Sequence, residues 1–391
     1  MNGRILLLLI IFATSVFAID SSLPKDPQPL VISIGDPPPK HPDRLGQRDA
    51  VVHLTLFSGR VGSVSGMQLG GFSNHVTRDL TGVDFTWIHS RIDGQLLGYQ
   101  SVGIISSIGG GFTGFQTAGI SASASGISIG MQTGGIFAEV DGTFIGIQSG
   151  GITAECGDLR GIQTAGIIAD ADDVVGLQAG GIVNEAQNVH GFQTAGIINK
   201  ADRVQGGQVA GIVNEAGHVS GFQIGLFNHC KRLDGIAIGL VSTSDDGQVY
   251  LDGWSGGAMD YSVGIHSAPN HYWYTLVSFG HSSSLEAQPQ ESGFGSYLGL
   301  KWDLPGPMYI AGDLGHVSII EGDLLNFEEY DERWSGALEL RARVGLRLGH
   351  LLGAYVGIVQ SRRGDNEKWL GASSDVENAL HIGGFLRLSS H

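Results

Sequence analysis

Between residues 64 and 243 glycine, amide and small apolar positions recur in one block, Gly-x-Gln-x-x-Gly. It opens at Gly66, Gly98, Gly114, Gly130 and Gly146 at a step of 16, with Gly82 a degenerate copy. The step then becomes 15, at Gly161, Gly176, Gly191, Gly206 and Gly221, and a worn copy starts at Gly235. In the best copies, Val189 to Asn199 and Val204 to Asn214, alternate positions place Val, Gly, Gln, Ala or Gly, Ile and Asn on one face. The opposite face varies among Phe, Ile, Leu, Thr, Ser and Val. Period-two order with glycine and β-branched residues predicts strands, not helices. The charged stretches Asp170–Asp173 and Lys200–Arg203 read as connectors between strands.

Two all-β architectures fit about twelve such units. In a β-solenoid each unit is one coil, stacked ~4.8 Å above the last, with like residues in register. Val174, Val189, Val204 and Val219 would then form an apolar column. Gln163, Gln178, Gln193, Gln208 and Gln223 would form one amide ladder, and Asn184, Asn199, Asn214 and Asn228 another. In the alternative, each unit is one strand of a single large antiparallel outer-membrane barrel. Barrel turns usually alternate short and long, whereas these connectors are nearly equal, which favours the solenoid.

From residue 246 the repeat stops and aromatics rise. Seven segments read as antiparallel strands (258–267, 271–281, 293–302, 307–317, 334–347, 350–360, 379–388). The run Ala337 to Leu348 alternates apolar and charged, the mark of one wet and one greasy face. Strands of this length with terminal aromatics suggest a small membrane-type barrel, with outer-membrane lipid as its partner; a β-sandwich is the rival. At the other end, Arg4, the apolar run Ile5–Phe12 and Val16-Phe17-Ala18 predict a signal peptide over 1–18. Seven of the 11 prolines fall between residues 20 and 43, so 19–50 reads as a Pro-rich linker. The Gly/Gln repeat domain is expected over 51–245 and the C-terminal β-domain over 246–391.

Composition narrows the function classes. Of 391 residues 63 are Gly and only 15% are charged, which excludes a helical bundle. A net charge of −16 argues against nucleic acid and anionic lipid as partners. Gly253-Trp254-Ser255-Gly256-Gly257 matches a nucleophile elbow, but no strand–helix context surrounds it. Gly109-x-Gly111-x-x-Gly114 matches a dinucleotide fingerprint without a βαβ unit and reads as repeat phasing. Asp170, Asp172 and Asp173 could bind Ca²⁺ weakly, but the repeat lacks the G-G-x-G-x-D order of calcium-loaded solenoids and they read as a solvated turn; the His residues show no metal-ligand spacing. Thr117, Thr133, Thr164 and Thr194 share a repeat position, the hydroxyl row of an ice-binding solenoid, interrupted by Ser149, Ala179, Val209 and Ile224. Cys156 and Cys230 fall about five units apart, too far for a disulfide, so two free thiols are expected. No cofactor or catalytic residue is indicated.

The units Gly191-Phe192-Gln193-Thr194-Ala195-Gly196-Ile197-Ile198-Asn199 and Gly221-Phe222-Gln223-Ile224-Gly225-Leu226-Phe227-Asn228 resemble those of uncharacterised bacterial surface-repeat proteins. Members of that group combine an export signal, G-x-Q-x-x-G-x-x-N units and a β-rich C-terminal region of outer-membrane type. The resemblance covers the middle half of the chain and implies the cell envelope without supplying an activity. The expectation is a non-enzymatic exported envelope or surface protein with a structural or binding role and an unidentified envelope partner. The alternative is an outer-membrane pore or transporter.

Overall fold

The computed structural model describes residues 28–35, 48–282, 291–321, 334–365 and 376–388. The expected signal peptide and most of the linker lie outside these residues. The chain is all-β, a parallel β-solenoid of about 13 turns and a closed eight-stranded antiparallel barrel. Every coil-to-coil pairing is parallel, so the repeats do not form a single antiparallel barrel. Two compact units divide the chain, Met1–Thr164 and Ala165–His391.

In the first unit each 16-residue coil carries two strands, for example Ser121–Ser125 and Ser128–Gly134. Gly126-Ile127, with Gly126 at φ +72°, bends the chain between them. Like residues stack: Gln116 lies over Gln132, and Gln132 over Gln148. Within the expected linker, Gln28–Ser33 is a strand paired parallel to Ala50–Thr55 and adds a turn before the first recognisable repeat. Interior volume is matched between coils. Ser128 is buried in the column that holds Phe112 and Phe144, whose rings approach to 6.3 Å across it.

In the second unit the step is 15 and the bend disappears. Strands now run 13 residues, as in Val183–Ala195 and Ile198–Ala210. The charged connectors expected as turns are therefore strand: Lys200 points out while Asn199 and Ala201 are buried on either side of it. A second departure concerns Ile197, expected inside. The chain turns at Gly196-Ile197, and while Ala195 and Asn199 on either side stay in phase and buried, Ile197 itself sits at the corner of the coil and is 37% exposed.

The two glycines of the repeat have one cause. Gly191 sits at φ +141°, and a Cβ there would lie 2.0 Å from the carbonyl oxygen of Gly176 in the preceding coil. A Cβ on Gly196 would lie 2.2 Å from the oxygen of Gly181. Parallel stacking brings carbonyls onto these two positions along the stack, where glycine fits beneath them; the degenerate Gly82 copy is the exception, with Trp87 at the second position.

The barrel strands are Gln248–Ser255, Tyr261–Ala268, Trp273–Ser282, Glu291–Asp303, Met308–Glu321, Trp334–Leu348, Leu352–Asp365 and Val376–Arg387. The first of these was not among the seven read from sequence. It closes the barrel by pairing with both the second and the last strand. The barrel also terminates the repeats of its unit. Asn270 Nδ2 donates to the Gly235 carbonyl at 2.8 Å, and the Ser267 hydroxyl donates to the Ser242 carbonyl. In earlier coils the equivalent glycine carbonyl faces the next coil, so these side chains supply donors where the stack stops.

Gly191→Ala is expected to lower the stability of the chain by about 3 kcal/mol or more, since strain and steric overlap act together. Gln205→Ala, on the outer face, should change it by less than about 0.5 kcal/mol. Denaturant unfolding of the full chain checks both.

Candidate functional site

Two sets of buried polar groups stand out, one inside the repeats and one inside the barrel. In the second unit Val174, Val189, Val204 and Val219 are buried in register and form the apolar column. Beside them Gln193 donates to Gln178 Oε1 at 2.7 Å, Gln208 to Gln193 at 2.8 Å and Gln223 to Gln208 at 2.9 Å. In the first unit Gln163 donates to Gln148 at 2.9 Å. The Asn ladder runs the other way: Asn184 donates to Asn199, Asn199 to Asn214 and Asn214 to Asn228, at 2.8–2.9 Å. Opposed directions let the two rows of amide dipoles offset each other. Both ladders end where the repeat wears out. Gln223 Oε1 has no donor because Ala237 occupies the next level, and Asn184 Oδ1 has none because Ala169 occupies the preceding one.

The first unit departs from the ladder in a way that the degenerate Gly82 copy signals: Asp84 stands in the glutamine column, fully buried. It accepts from Gln68 Nε2 at 3.1 Å, Thr86 Oγ1 at 2.8 Å, Ser90 Oγ at 2.5 Å and Gln100 Nε2 at 2.9 Å. An ionised carboxylate only accepts, so both neighbouring amides must turn their NH₂ groups toward it. Asp84 thereby orients the row. On one side the Gln68 carbonyl faces His53 Nδ1 at 3.1 Å, and His53 Nε2 meets the Ser33 hydroxyl at 3.1 Å. On the other, Ser106 links Gln100 to Gln116, and Gln132 and Gln148 each donate to the glutamine before.

In the barrel the alternation of 337–348 has the charged face inward. Glu339, Arg341 and Arg343 are buried, while Leu338, Leu340 and Val344 are exposed on the outside. Arg341 pairs with Asp313 and lies 3.6 Å above the Tyr297 ring. Arg343 reaches Asp313 at 2.9 Å and the Tyr274 hydroxyl at 2.8 Å. Glu339 accepts from Tyr297 at 2.8 Å and Ser361 at 2.9 Å. With Asp252 and Lys301, three buried acids face three buried bases. Beside Asp252, His266 and Arg343 lies a void of about 10 Å³, room for one water, and a cavity of about 150 Å³ opens by the turn at 349–351 between Tyr250, Arg347, His350 and Arg387. The lumen is filled and charge-balanced. Its strand alternation was legible in the sequence, but partners such as Asp313 and Tyr274 come from other strands, and no local pattern points to them.

The remaining candidates do not converge. Ser255 is exposed at the end of an antiparallel strand, with no helix after it. Gly111 and Gly114 belong to a solenoid coil, which places the fingerprint match in the repeat. Asp172 and Asp173 each accept from an amide of the next coil, Gln187 at 2.7 Å and Asn188 at 2.6 Å, and do not point at a common centre. Burial, with the charges of Glu185 and Asp172 nearby, holds the Asp170 carboxyl above its usual range. Among the described residues no group of three His, Cys, Asp or Glu side chains could hold a metal ion. Thr117, Thr133 and Thr164 are half-buried and Thr194 is exposed. Cys156 and Cys230 are buried and form no disulfide, and burial, with Asp245 nearby, pushes the Cys230 thiol up to about 12.

No family model matches the chain, and no curated protein does. Among solved structures, the crystal structure of the N-terminal β-barrel domain of Pseudomonas aeruginosa OprF is similar at 14% identity and a TM-score of 0.27, covering 36% of this chain and 98% of that one.

Gln193→Leu should cost about 2–3 kcal/mol, because it strands the amide partners above and below it. Asp313→Asn should cost about 3–5 kcal/mol by leaving two buried guanidinium groups without their anion. Urea unfolding in detergent micelles measures both.

Proposed function

We propose that this is a non-enzymatic, exported envelope protein in which the C-terminal barrel spans an outer membrane and holds the repeat domain beside it. One observation carries the reading: the barrel is inverted relative to a soluble protein. Its outer wall exposes Val263, Phe279, Leu314, Leu340, Ile358 and Leu380, while its acids and bases are inside. An exposed apolar belt of this kind matches hydrocarbon, and a closed barrel leaves no unpaired strand edge within it.

The connections give the barrel a direction. At the end that meets the last coil they are four residues or fewer (269–272, 304–307, 349–351). At the other end they run from five to twelve (256–260, 283–290, 322–333, 366–375). In outer-membrane barrels the short turns are periplasmic. The repeats next to the barrel would then lie on the periplasmic side, as a scaffold or binding element fixed to the membrane. The pore reading is less well supported, because side chains fill the lumen.

The full chain expressed with its leader should stay with the outer-membrane fraction until detergent is added. Leu340→Arg, near mid-strand on the outer wall, should reduce assembly by about 2–4 kcal/mol. Planar-bilayer recordings should show no steady conductance. A chain recovered in solution without detergent would sink the anchor reading, and a stable open channel would restore the pore.

A further inference from the structure

The repeats carry an outward feature that the anchor reading does not use. In the second unit the corner of each coil presents one aliphatic residue: Ile167, Ile182, Ile197, Ile212, Leu226 and Leu240, each 37–49% exposed. They stack directly, with Ile182 N donating to Ile167 O at 3.0 Å and Ile197 N to Ile182 O at 3.1 Å. The columns on either side are also uncharged and include exposed Val209, Ile224, Ile168 and Phe227. Charges sit at the opposite corner, at Asp172, Asp202, Arg203 and Arg232, and in one column at the rim of the edge, where Glu185, Lys200 and Glu215 stack beyond the Ile168 column. The exposed apolar side chains along this edge amount to roughly 800 Å², above the largest patch of a typical monomer and equal to one partner's share of a standard interface.

We propose that this edge pairs with the same edge of a second copy of the chain, about a two-fold axis parallel to the stack. The proposal rests on the anchor reading, and two arguments select the occupant. The first excludes the bilayer. Inter-coil hydrogen bonds run along the stack, and the Gly235 carbonyl, which points that way, ends on Asn270 of the barrel rim. The coils therefore recede from the rim, and an edge that runs along them leaves the membrane behind. The second argument is periodicity. The edge repeats at every coil, ~4.8 Å apart, so a partner matches all levels at once only if it has the same step. A second copy held in the same bilayer shares both step and direction. An isologous two-fold then sets Ile197 against Ile197 and Ile182 against Ile182, with the Glu185, Lys200 and Glu215 column left at the rim.

The test uses the full chain in detergent micelles and in lipid nanodiscs. Ile182→Cys and Ile197→Cys each place one exposed thiol on the edge, while the native thiols are buried. Mild oxidation should convert most of either variant to a disulfide dimer, and Asp202→Cys, at the opposite corner, should remain monomeric. The double variant Ile182→Glu/Ile212→Glu should halve the detergent-corrected mass seen in sedimentation, with its far-UV circular dichroism unchanged. A wild-type chain that inserts in lipid but sediments as a monomer, or equal cross-linking at Asp202→Cys and Ile197→Cys, overturns the pairing and leaves the anchor intact. A chain that needs no detergent overturns the anchor itself.

Discussion

Parallel stacking in register makes each residue of a coil sit on its own counterpart one repeat away. Whatever a position holds must therefore be compatible with a copy of itself at about the spacing of neighbouring strands. Carbonyl oxygens arriving at two positions per coil favour glycine at both ends of Gly-x-Gln-x-x-Gly, with Trp87 the exception in the degenerate copy. Valine packs on valine at one interior position. At two others an amide is its own best neighbour, because it donates on one side and accepts on the other. An unpaired charge stacked on itself would repel, which keeps like charges out of the buried columns, while outward positions tolerate pairs such as Glu139 over Glu155.

Asp84 tests that rule and shows how an exception is accommodated. It interrupts the glutamine column once, has no carboxylate directly above or below, and takes four donors from three coils. Its inability to donate sets the direction of the amides on both sides. The column ends at its lower side on His53, a group that can serve as donor at one nitrogen and acceptor at the other. The interior of the first unit is thus polarised by one side chain.

The barrel solves the opposite problem. Its strands are antiparallel, so neighbouring positions hold unlike residues and charges of opposite sign can meet across the lumen. Asp313, Arg341 and Arg343 come from two adjacent strands, and Tyr274 reaches them from a third. Burial of so many ionic groups is tolerable because acids and bases are interleaved, although Arg341 Nη1 and Nη2 and Asp252 Oδ1 lack hydrogen-bond partners among the described residues, and the same groups narrow any aqueous path. With its polar groups turned inward, the wall is left to apolar side chains.

The sequence by itself determined the coil. Glycine spacing, the recurrent Gln and Asn and the absence of proline from 43 to 268 all follow from contacts between a residue and its own repeat, and such contacts are written in the period. The alternation of 337–348 likewise revealed one greasy and one charged face. Tertiary structure decided the rest. Which face of the barrel is wet depends on closure, and closure depends on Gln248–Ser255, a strand too close to the repeats to stand out. The place of Ile197 depends on a corner at Gly196 that turns its side chain outward while Ala195 and Asn199 stay buried in phase. The orientation of the ladder depends on Asp84 meeting Gln68 and Gln100 in space. Each of these is set by contacts between residues with no fixed relation along the chain, and periodicity carries no record of them.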